Sequence, residues 1–182
     1  MKRLALFVTI LFVTFAIVRI ASAQTSVNFN DFTYRVHPCT GNVPTAAAVS
    51  GGSYEYYDTK MGQGFTISVD SIEAGTLSAG TRQAVVTPSC EFPIGGTAAA
   101  YLFAVHGNTA TLLGKVADAN WGGDWGAGPS SIHVSFDNDV LSVAACANDE
   151  CAMTTFTRYA LRGGKLTKLS VRSVATANAV TR

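Results

Sequence analysis

The sequence is short of charge. Only 14% of its 182 residues are Asp, Glu, Lys or Arg, and only three are histidine. That low density excludes an acidic or basic disordered tail, and thirteen cations against twelve carboxylates argue against a nucleic-acid binder. Apolar residues nowhere keep a sustained helical period, which excludes a coiled coil. Seventeen glycines beside five prolines exclude collagen. Past residue 23 no run is apolar and long enough to cross a membrane as a helix. H-E-x-x-H, G-x-S-x-G, the phosphate-binding loop and the dinucleotide fingerprint are all missing, so no cofactor and no metal is expected.

What is present begins with an export signal. Met1-Lys2-Arg3 is a cationic start, Leu4 to Val18 is apolar, and Ala21-Ser22-Ala23 offers the small residues that a signal peptidase accepts. Cleavage is expected before Gln24, which removes Lys2, Arg3 and Arg19 and leaves ten cations against twelve carboxylates. No cysteine sits at the cleavage point, which excludes a lipid anchor there. The mature chain is expected to be a single monomeric β-rich domain over residues 24–171, followed by a flexible tail over 172–182, in the periplasm or the medium. A chain of that length buries enough surface to fold without a metal or a partner.

All four cysteines fall in the mature part, and an even count in an exported chain reads as two disulfides. Three pairings are possible. The tight polar turn Ala147-Asn148-Asp149-Glu150 favours Cys146 with Cys151, leaving Cys39 with Cys90. The second bridge closes the longer loop, for roughly 3 to 5 kcal/mol in the chain-entropy account.

Period-two patterning dominates the rest. Phe32, Tyr34 and Val36 alternate with polar residues, as do Phe65, Ile67 and Val69, and Ile132, Val134 and Phe136. Ala98 to Val105 is apolar on both faces, as a central strand buried twice would be. Short connections at His106-Gly107-Asn108, Asp137-Asn138-Asp139 and Gly163-Gly164 are hairpin signals. The fold is therefore expected to be mainly β, an antiparallel sheet of successive hairpins forming a sandwich or open barrel, with Pro44–Val49 the best place for one short helix.

Several stretches resemble a known group. The strand Phe65–Val69 leading through a glycine-containing loop into Arg82-Gln83-Ala84-Val85-Val86 and Cys90 is similar to the LppP/LprE lipoprotein family of small exported bacterial proteins. So are the opening Asn28-Phe29-Asn30-Asp31-Phe32-Thr33-Tyr34 with Pro38-Cys39, and the ending Tyr159-Ala160-Leu161-Arg162-Gly163-Gly164-Lys165-Leu166. In that family the loop reads G-D-L-T-G-D-G, whose alternate aspartates suit calcium. Here the loop is Ala74-Gly75-Thr76-Leu77-Ser78-Ala79-Gly80-Thr81, without a carboxylate, and it is expected to be a plain turn with Gly75 and Gly80 at positive φ.

Candidate sites are few. His37, His106 and His133 are far apart in sequence, and solvated surface positions explain them. Asp137 and Asp139 flank Asn138 as turn formers. The unusual segment is Asn120-Trp121-Gly122-Gly123-Asp124-Trp125, which holds both tryptophans. Its indoles, rimmed by Asn120 and Asp124, suit a sugar or a peptide; the competing expectation is that the indoles cap the β core. The leading expectation is a non-catalytic exported domain whose partner is a protein or an envelope glycan. A secreted hydrolase drawing on His133, Asp124 and Ser130 or Ser131 is the alternative, and a purely structural or inhibitory surface protein is the third.

Overall fold

A computed structural model describes residues 26–39, 44–78, 81–93, 95–122, 132–146, 151 and 153–175. The signal segment, residues 1–23, lies outside them. Every regular element among the described residues is a strand. In chain order these are β1 (Thr33–Tyr34), β2 (Ala47–Ala48), β3 (Ser53–Asp58), β4 (Gln63–Ser78), β5 (Thr81–Phe92) and β6 (Gly95–His106). They continue as β7 (Thr109–Gly122), β8 (Ile132–Asp137), β9 (Val140–Cys146), β10 (Met153–Arg162) and β11 (Lys165–Ala175).

Two large antiparallel meanders result. One sheet has the order β3-β4-β5-β6-β7, the other β11-β10-β9-β8, and β1 pairs with β2 as a small third sheet; the described strands close no barrel. The expected sandwich of hairpins is what forms. The short helix expected at Pro44–Val49 is not there. Ala47 and Val49 are buried while Ala48 is exposed, a period-two pattern that suits β2 and not a helical turn.

Strands β5 and β6 explain the three layers. One face of this pair sets Ala84, Val86, Ala99, Tyr101 and Phe103 against Phe29, Tyr34, Ala47 and Val49 of the N-terminal segment. The opposite face sets Val85, Ala98, Ala100 and Leu102 against Ile132, Leu141, Val143 and Tyr159 of the C-terminal sheet. The doubly apolar run Ala98–Val105 is thus a central strand covered twice. Cys39 is bridged to Cys90, which sews the N-terminal layer to β5, and Cys146 is bridged to Cys151.

Three local expectations change. The strand over Phe32–Val36 shrinks to β1, because Phe29 and Phe32 turn inward to pack on Phe103 at centroid distances of 5.4 and 5.9 Å. The loop Ala74–Thr81 is mostly strand, since β4 runs to Ser78. Gly75 is required there by close approach: a Cβ on it would lie 2.1 Å from Cγ of Phe136. Arg172–Ala175, expected in the tail, instead extend β11, pairing with Met153, Thr154, Thr155 and Phe156. Val171 and Val174 suit an extended backbone there; residues 176–182 lie outside the described residues.

Pro88 is buried in β5, a central strand, where a missing N–H should break the ladder. The break is already present. β4 shifts register immediately after the Val69–Pro88 pair, with Asp70 as the extra residue.

Candidate functional site

The residues singled out by composition are dispersed. Asp124, Trp125, Ser130 and Ser131 lie outside the described residues. Asn120 and Trp121 are successive residues of β7 and so point to opposite faces. Asn120 is exposed. Trp121 is half-buried against the core between the two sheets, its indole lying over Gly96, where a Cβ would come within 2.2 Å of Cζ2. His37 anchors the N-terminal layer by donating from Nε2 to the Pro44 carbonyl at 2.7 Å. His106 is exposed at the end of β6. Asn138 and Asp139 both take positive φ, 46° and 61°, as a two-residue hairpin turn requires, so turn geometry accounts for that pair.

A different surface gathers chemistry. In the C-terminal sheet, Ile132, Val134, Leu141, Val143 and Tyr159 face the core, which turns the intervening residues outward. The cross-strand pairings then lay two adjacent rows on the outer face: His133, Ala144, Phe156 and Arg172, and beside it Ser135, Ser142, Arg158 and Ser170. His133, Ser135, Ser142, Ala144, Phe156 and Arg158 line a groove of about 330 Å³. Small Ala144 and Ser142 are its floor. Phe156, 46% exposed, is an aromatic ring left open to solvent between a histidine and two arginines.

Charge is segregated onto this face. After Glu150 the sequence contains six cations and no carboxylate. Among the described ones, Arg158, Arg162, Lys165 and Arg172 are on the outer face by their pairing, and Lys168 is on the inner one. Among the described residues none of these five is ion-paired, and the ion pair found there joins Lys115 and Asp118 on β7, at 2.5 Å. The carboxylates described on this sheet, Asp137 and Asp139, sit at the β8–β9 turn. Among the described residues no carboxylate lines the groove.

Two other places hold polar groups. A cleft of about 340 Å³ between β7 and the C-terminal sheet is lined by Asp118, Asn120, Thr155, Thr157, Tyr159 and Lys168, among others. On the other flank, burial raises the pKa of the Asp70 carboxyl, the Ser89 hydroxyl opposes that rise, and Glu91 adds to it. Among the described residues no three His, Cys, Asp or Glu are placed to share a metal ion.

Phe156 and Arg158 were not singled out by motif. The signal that could have found them is the charge asymmetry after Glu150, together with an aromatic residue in the polar phase of an alternating strand. No family model, no curated protein and no solved structure matches the chain.

Proposed function

We propose that this chain is an exported, non-catalytic binding domain, braced by its two disulfides, that takes an envelope glycan or protein on the outer face of its C-terminal sheet. The observation that carries the reading is the groove around exposed Phe156, a mostly apolar hollow with Arg158, His133 and Ser135 at its rim. The cationic, apolar N-terminus and the two bridges suit an oxidising compartment.

The test is a thermal-shift screen of the oxidised secreted chain against envelope oligosaccharides and peptides, since a ligand selective for the native state raises its apparent stability. A saturable shift that disappears in Phe156→Ala is the expected result. A shift that survives Phe156→Ala and disappears in Trp121→Ala would overturn the assignment and place the site at the tryptophan segment.

A further inference from the structure

We infer that the ligand of the Phe156 groove is an acidic oligosaccharide, its sugar face stacked on the Phe156 ring and its anionic groups paired with Arg158 and Arg172. The inference rests on the binding reading above and adds the chemical class of the ligand.

Three observations point the same way. The first is the uncompensated charge. Four cations share the outer face of β10 and β11, and neither they nor Lys168 has a carboxylate partner among the described residues. A guanidinium offers a planar fork of donors that matches a carboxylate or a sulfate in two parallel hydrogen bonds. The second is the ring. Phe156 stands beside Ala144 on one side and Arg172 on the other, so nothing bulky from β9 covers that flank. A flat apolar ring with hydroxyls next to it matches a pyranose, which presents C–H groups on its face and hydroxyls at its edge. Ser135, Ser142 and Ser170 supply those hydroxyl partners in the adjacent row.

The third observation separates a sugar from an acidic peptide. The groove is centred on β8, β9 and β10, and in the middle of that set the β9 ladder is paired on both sides. An extended peptide gains much of its affinity from main-chain hydrogen bonds to a free sheet edge. Among the described strands the edge nearest the groove is that of β8, and a peptide strand added there would lie in the plane of the sheet, beside the groove and not over its floor, where side-chain hydroxyls, guanidinium groups and an aromatic face are all present.

The experiment titrates the oxidised secreted chain with three probes: an oligogalacturonate, the same oligosaccharide as its neutral methyl ester, and a poly-glutamate of equal charge. The uronate is expected to bind at least about tenfold more tightly than either of the others. Its affinity should fall with salt, as screened charge pairs require. Phe156→Ala should weaken the uronate about tenfold while Phe156→Trp retains it. Arg158→Gln should remove the preference for uronate over ester; Phe156 and Arg158 are both exposed, so the fold survives these changes. Equal binding of uronate and ester, or an unchanged preference in Arg158→Gln, would overturn the acidic assignment. Tighter binding of poly-glutamate would make the partner an acidic protein. In either of those cases sensitivity to Phe156→Ala keeps the groove as the site, and no response of any probe to Phe156→Ala overturns both readings.

Discussion

The hydroxyl of Tyr159 on β10 donates a 2.8 Å hydrogen bond to the carbonyl of Val116 on β7, joining the two large sheets inside their shared core. Val116 is the extra residue where β7 shifts register against β6 between Ala100 and Tyr101. The bulge takes its carbonyl out of the ladder, and Tyr159 supplies the missing donor. Replacing Tyr159 by Phe should leave that carbonyl buried and unpaired, at a cost of about 1 to 3 kcal/mol. Urea denaturation of Tyr159→Phe, with far-ultraviolet circular dichroism unchanged, checks this. A wild-type midpoint would show that the bond adds nothing.

The two disulfides should differ in weight. Cys39–Cys90 spans 51 residues and Cys146–Cys151 spans 5. In the chain-entropy account the long loop contributes roughly 4 kcal/mol and the short one roughly 2. Cys39→Ser is therefore expected to lower the Tm well beyond the effect of Cys151→Ser. Equal losses in calorimetry would contradict this ordering.

Gly96 is held to its identity by Trp121. A Cβ there would meet the indole at 2.2 Å and the Cys90 carbonyl oxygen at 2.8 Å. Gly96→Ala should push the indole outward, shifting tryptophan emission to the red and destabilising the fold by about 1 to 3 kcal/mol. In a Trp121→Ala background the same glycine change should cost less, with the clash against the Cys90 carbonyl remaining, since neighbours in contact are not additive. Additive losses in the two backgrounds would show that the indole does not rest on Gly96.

Alkaline pH should unfold the domain early. Burial, with Asp118 adding to it, pushes the Tyr101 hydroxyl up to about 12; burial also raises the Tyr34 and Tyr159 hydroxyls. An unfolded tyrosine ionises near 10. Between the two values the native state holds the extra proton, so stability is whole below pH of about 10 and falls as pH climbs towards about 12. For Tyr101 alone the loss is on the order of 2 kcal/mol. Tyr101→Phe should show a shallower decline of Tm across that window. An identical slope would mean that Tyr101 ionises as freely folded as unfolded.

Much of the architecture was legible in the residues. Phe65, Ile67 and Val69, and Ile132, Val134 and Phe136, alternate as β4 and β8 require, and the doubly apolar Ala98–Val105 marks the centre of the fold. Cysteine spacing and the intervening polar turn pointed to both bridges. The candidate site on the outer face of the C-terminal sheet was harder to see, for a physical reason. Alternation separates two faces of a strand without saying which one a second layer will cover, so Phe156 reads equally well as a core residue of β10. Trp121 drew attention by its rarity, yet register shifts at Val116 and Leu113 decide how the end of β7 is phased, and those shifts leave no mark in composition. The departure at Gly75 is of the same kind, because a glycine demanded by Phe136 looks like a turn glycine until the second sheet is in place.

Within each large sheet every strand lies beside its immediate neighbour in the chain. Such a chain zips outward from its own turns, each hairpin on a timescale of microseconds. The slow events are therefore few: bringing one finished meander onto the other, and laying residues 26–39 and 44–50 over β5 and β6. A bond between Cys39 and Cys90 formed ahead of that last event closes the 51-residue loop in advance and so shortens the search for the N-terminal layer.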